Sequence, residues 1–90
     1  MDRDRLEAAL ADAFDADPAA CRVVARQATD LAHSGRLARD LDIELTVETV
    51  VANLQEAPDD ASLCERWNWW VGAMRLTHDG YERFTVRRLD

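Results

Sequence analysis

Leu41-Asp42-Ile43-Glu44-Leu45-Thr46 alternates apolar and polar residues without a break. Side chains on a strand point to opposite faces in turn, so this spacing predicts a short strand with one buried face. A strand cannot stand alone, because its backbone needs a partner. The segment Tyr81-Glu82-Arg83-Phe84-Thr85-Val86-Arg87-Arg88 alternates too, with Phe84 and Val86 on one side, and is the plausible partner within the chain. The fold expected is α+β and mostly helical. Its order is α-α-β-α-α-β, with a small two-stranded sheet of residues 41–46 and 81–88. The alternative is an all-α bundle.

Four helices surround those segments. Leu6, Leu10 and Phe14, with Ala9 and Ala13, recur at three- and four-residue steps and predict a first helix from Asp4 to Phe14. Asp17-Pro18 starts a second, because Asp caps well and Pro suits the first helical position. That helix is expected to end at Ser34, with Gly35 as its cap. Residues 36–39 can add a further turn. Thr46 opens the third helix, with Val47, Val50, Val51 and Leu54 as its stripe. After the turn Ala57-Pro58-Asp59-Asp60, the pair Ser62 and Glu65 forms a capping box for the fourth, which runs to about Thr77.

Ninety residues make a single domain, 1–90. The chain is 48% hydrophobic and 32% charged, a globular balance rather than a disordered one. No apolar run is long enough to span a membrane, and the charged start lacks the apolar core of a signal peptide. A cytoplasmic location is expected, with Cys21 and Cys64 reduced and buried.

The ions are unusual. Every one of the eleven basic residues is Arg, Asp outnumbers Glu twelve to six, and the net charge is −7. This composition resembles that of the acidic, Asp-rich, Lys-poor cytoplasmic proteins of haloarchaea. The resemblance covers composition alone and implies a solvent, not an activity. In molar salt the Debye length falls to about 3 Å, which screens repulsion among surface carboxylates.

Two surfaces are candidates for function. The first lies in Arg66-Trp67-Asn68-Trp69-Trp70 and the residues after it. At 100° per residue, Leu63, Trp67, Trp70, Val71 and Met74 share a core-facing stripe. Trp69, Ala73 and Leu76 fall on the far side. Such a strip is the second packed side of a central helix, a contact surface for another protein if it is left bare, or the lining of a small-ligand pocket. The second is the Arg22, Arg26 and His33 side of the second helix, together with Arg87 and Arg88 in the tail. Arg suits bidentate phosphate contacts, so these residues are the candidate anion or nucleic-acid contacts. The order of elements in 41–88 also resembles a winged helix-turn-helix, which implies DNA binding. Trp67, Trp69 and Trp70 depart from the polar outward face of a recognition helix, and only Arg66, Asn68 and Arg75 offer base-reading groups.

Chemistry is sparse. His33 and His78 have no metal-spaced partner, and no Gly-rich phosphate loop or nucleophile motif occurs. No cofactor is expected. The function expected is a non-enzymatic interaction or regulatory domain that buries Trp69, Ala73 and Leu76 against itself or a protein partner. The alternative is a winged-helix-like DNA-binding regulator.

Overall fold

A computed structural model of the chain describes residues 1–86. Five α-helices follow one another: α1 Arg3–Phe14, α2 Pro18–Ser34, α3 Arg36–Leu41, α4 Val47–Gln55 and α5 Leu63–Arg75. A single 3₁₀ turn, Glu82–Phe84, comes after α5. α1 packs against α2, α4 lies against α1, and α5 packs on both α2 and α4.

The helix ends carry side-chain caps. Asp2 caps α1 by accepting from the Arg5 N–H at 3.2 Å, so the helix opens at Arg3, one residue before the expected start. Asp17 accepts from Ala19 at 2.8 Å, Pro18 opens α2, and Gly35 closes it with φ 72°. Thr46 caps α4. Ser62 and Glu65 form the expected box: Ser62 N–H donates to Glu65 Oε1 at 2.8 Å, and Glu65 N–H to Ser62 Oγ at 3.2 Å. Each cap satisfies donors that the first helical turn leaves free.

The expected two-stranded sheet does not form. Among the described residues there is no strand, and the architecture is all-helical. The alternation at 41–46 has a different cause. Leu41 ends α3, and Asp42 turns left-handed at φ 55° with its N–H donating to Leu37 O. Ile43 N–H donates to the same carbonyl at 3.2 Å. The remaining residues form a connector lying on the core, with Leu45 buried and Asp42 and Glu44 exposed. One-sided burial of a connector gives the same period-two pattern as a strand. The second segment, Glu82–Phe84, coils into the 3₁₀ turn, which buries Tyr81, Phe84 and Val86. The Arg87 and Arg88 part of that expectation lies outside the described residues.

The core is one apolar cluster. Leu6, Leu10, Val24, Ala25, Ala28, Leu31, Val50, Leu54, Trp67, Val71 and Tyr81 are wholly shielded from solvent. No polar or charged residue is buried among the described residues. The chain after α5 is tied to α3 from both sides of a turn. Arg36 Nη1 donates to Asp79 O at 3.3 Å. Tyr81 O–H donates to Asp40 Oδ2 at 3.1 Å, and Arg39 Nε to Asp40 Oδ1 at 3.1 Å.

Gly80 lets that turn close. Its φ is 94°, and a Cβ there would stand 2.6 Å from Arg36 Nη1. Gly80→Ala is expected to destabilise by about 1–3 kcal/mol, through a strained backbone and a displaced Arg36. Thermal unfolding reads this directly, since about 1 kcal/mol shifts the midpoint by roughly 4–8 °C in a domain this small. An unchanged midpoint would show that the 76–81 turn carries no stability.

Candidate functional site

Four consecutive residues of α5 point in four directions, each about 100° from the last. Arg66 reaches back over the α4–α5 turn. Its Nη1 donates to Leu54 O at 3.0 Å and Ala57 O at 3.5 Å, its Nε to Ala61 O at 3.2 Å, and its Nη2 to Asp59 O at 3.2 Å. The guanidinium thereby donates to one carbonyl of the last turn of α4, Leu54 O, which also accepts from the Ala57 N–H, and to three carbonyls of the turn that follows. Its Cζ also stands 5.0 Å from the Phe14 ring centroid.

Trp67 points into the core and is fully buried. Its ring meets Trp70 edge-on, with centroids 5.7 Å apart and planes at 80°. A buried indole N–H needs an acceptor. Phe84 O provides it at 2.7 Å. Asn68 continues the same contact. Its Nδ2 donates to Val86 O at 2.7 Å, and Val86 N–H donates to its Oδ1 at 2.7 Å. The carboxamide thus pairs with one peptide unit's worth of donor and acceptor, as a neighbouring strand would. Trp67 and Asn68 together clamp the chain at Phe84 and Val86.

Trp69 faces away from all of this. It is 44% exposed, and Leu76 is 87% exposed. These are the exposed large hydrophobic residues among the described residues, and both belong to α5 or its cap. Ala73 is exposed between them. The strip expected from helical spacing is therefore brought together on one outward face.

The basic surface is looser. Arg22, Arg26 and His33 are all exposed on α2, at spacings that share a side, with the exposed carboxylate Asp30 between the last two. His33 also borders a shallow cleft lined by Gln27, Asp30, Ser34, Arg83 and Phe84. Arg87 and Arg88 lie outside the described residues. Of the groups named as possible base readers, Arg66 and Asn68 are engaged within the chain, and Arg75 is exposed.

Two larger clefts, of about 520 and 580 Å³, sit beside the 42–45 connector and beside Phe14 and Cys64. No group of His, Cys, Asp or Glu able to hold a metal ion occurs among the described residues. Cys21 and Cys64 are both free, the first buried and the second half-buried. Burial pushes both thiols up, and neighbouring carboxylates push further, Glu7 and Asp17 on Cys21 and Glu65 on Cys64. Thiols of that kind are protonated and slow to react at neutral pH.

The geometry defines a small all-helical domain whose last helix carries a backbone clamp on one flank and a bare apolar strip on its outer face. The chain belongs to the WNWW domain family, whose model matches residues 1–75. Trp67-Asn68-Trp69-Trp70 reads as those four letters. No curated protein and no solved structure matches the chain.

Sequence reasoning finds the strip and misses the clamp. The signal for the clamp is Asn68 itself. Asn is a poor residue for a helix interior and is placed there against propensity. Replacing Asn68 by Ala leaves the Val86 N–H and C=O without partners, at an expected cost of about 1–3 kcal/mol. Hydrogen exchange checks this: the Val86 amide should lose protection while the α1–α2 amides keep theirs. Equal protection at Val86 in both proteins would refute the clamp.

The α3 tether has a pH signature. The hydrogen bond from Arg39, ahead of that from Tyr81, holds the Asp40 carboxyl below its ordinary range against an opposing push from desolvation. A depressed folded pKa stabilises above the unfolded value of about 3.9 and is lost as pH falls through the folded value. Asp40→Asn is therefore expected to flatten the acid limb of the thermal-stability profile below about pH 4. An acid limb as steep as that of the wild type would rule out a stabilising role for the Asp40 carboxylate.

Proposed function

We propose that the chain is a non-enzymatic protein-interaction domain and that its contact surface is the strip Trp69, Ala73 and Leu76, closed against a second copy of the chain. The observation that supports this is the exposure of Trp69 and Leu76 on one face of α5, while the described residues otherwise keep their large apolar side chains covered. Apolar side chains gathered on one exposed face mark a surface that another protein covers.

The magnitudes set the strength. Covering the bare parts of Trp69 and Leu76 removes on the order of 250 Å² per chain, or about 6 kcal/mol as an upper bound. Two faces together offer roughly twice that, against an association cost of about 4–15 kcal/mol. The balance gives weak pairing that depends on concentration.

The cysteines and the composition support a setting for this domain. No helix among the described residues is long and apolar enough to cross a membrane. The free thiols support a reducing, cytoplasmic environment. The Lys-free, acidic composition supports a salt-rich one.

Sedimentation velocity over a wide range of protein concentration tests the surface. The wild type should shift from monomer to dimer mass as concentration rises, and Trp69→Ala should stay monomeric with its helical circular dichroism intact. A dimer that survives Trp69→Ala would place the contact elsewhere. Thermal unfolding in dilute buffer and in molar salt tests the setting. The midpoint should rise with salt as carboxylate repulsion is screened, and a constant midpoint would count against it.

A further inference from the structure

We infer that the two copies pair through α5 in antiparallel fashion, about a two-fold axis that passes between Gly72 and Ala73. This rests on the reading of the Trp69 strip as a self-association surface and adds its geometry.

Three observations carry it. First, Trp69, Gly72, Ala73 and Leu76 lie within about 100° of arc on the outer side of α5. They run large, small, small, large along the helix. A two-fold axis at the midpoint maps that pattern onto itself: Trp69 meets Leu76 of the partner subunit, and Gly72 meets Ala73 of the partner subunit. An isologous interface requires such self-complementarity. A parallel pairing would instead set the two Trp69 rings against each other.

Second, nothing inside the chain accounts for Gly72. It sits in the interior of α5 without a positive φ, and a Cβ built on it meets no atom within 4 Å. A glycine there costs helix stability relative to alanine. Its absent side chain gives no intramolecular benefit, but it lets a second helix approach to the short end of the 8–10 Å range of helix packing.

Third, the face is almost free of charge in a strongly charged chain. Glu65 is the ionised residue within the same sector, one turn before Trp69, and it already serves its own helix as a cap. Two antiparallel helices also oppose their dipoles favourably. The area suits a weak dimer, since the bare parts of the two faces come to roughly 500 Å² in total, below the roughly 1,000 Å² of a stable specific interface.

Each chain carries −7, so a second copy is repelled at long range. Added salt should therefore strengthen this pairing, whereas it would weaken binding of a basic partner. The salt response distinguishes the two occupants.

Sedimentation equilibrium of the full chain, in about 0.1 M and 1 M salt, tests the geometry with Gly72→Leu, Gly72→Ala and Trp69→Ala. The wild type should dimerise, with a dissociation constant that falls at least about threefold at the higher salt. Gly72→Leu should raise that constant at least about tenfold, while its thermal midpoint stays equal to or above that of the wild type, because leucine favours the helix and points into open space. Gly72→Ala should fall between. A Gly72→Leu protein that pairs as tightly as the wild type, with Trp69→Ala monomeric, overturns the antiparallel packing and leaves the strip as the contact. A dimer indifferent to Trp69→Ala overturns the strip itself. Pairing that weakens with salt, or a wild type that stays monomeric throughout, overturns the second copy as occupant.

Discussion

A fully buried indole N–H has to find an acceptor, and in this chain that requirement fixes the return of residues 84–86 across α5. Trp67 is the largest wholly buried side chain, and its N–H reaches Phe84 O at 2.7 Å. An unpaired donor at that depth would cost about 1–3 kcal/mol, a large share of a small domain's total stability. The acceptor has to come from a segment that returns across α5. Phe84 and Val86 bury their side chains as that segment returns, and Tyr81 does so in the turn before it. Asn68, one residue on, then secures the backbone at Val86 from the neighbouring direction. Residues 84–86 are held by two side chains of one helix, not by a sheet.

The same helix also looks backwards. Arg66 donates to carbonyls of Leu54, Ala57, Asp59 and Ala61, so the α4–α5 turn is tied by a guanidinium rather than by a glycine cap. Successive residues of α5 thus hold the preceding turn, the core and the following segment. Helical geometry makes that division possible, since each step of about 100° presents a new surroundings. It also leaves one direction over. Trp69 occupies it, and it stays 44% exposed there.

Much of this was legible in the sequence, and the failures have physical causes. Both ends of α2 and the start of α5 follow from Asp17-Pro18, Gly35 and the Ser62–Glu65 box, because caps act locally and leave a local signature; α5 ends at Arg75, two residues before the expected Thr77. The division of the Trp cluster into buried Trp67 and Trp70 and outward Trp69 follows from helical period alone. The sheet was misread because alternation reports which side of a segment is buried, not what its backbone bonds to. Leu41 is the end of a helix, and Leu45 is buried from a connector. Val86 illustrates the point best. It is buried and alternates with Phe84 as a strand residue would, yet its N–H and C=O pair with a side-chain amide. Contacts between residues 18 positions apart have no period to betray them.

The clamp also bears on what counts as the folding unit. The family match covers residues 1–75 and includes the donors Trp67 and Asn68. Their acceptors, Phe84 and Val86, lie beyond it. So does Tyr81, which is wholly buried and bonds back to Asp40 on α3. Burying an aromatic side chain stabilises by about 1.5–3 kcal/mol, and each of these hydrogen bonds adds about 1 kcal/mol net. Tyr81, Phe84 and the four bonds together approach 10 kcal/mol as an upper bound, against a total stability of about 5–15 kcal/mol for domains of this kind. In this chain the four-letter segment of α5 is therefore half of a contact. The core that residues 1–75 share is closed, among the described residues, by a segment reaching Val86 that the matched span does not contain.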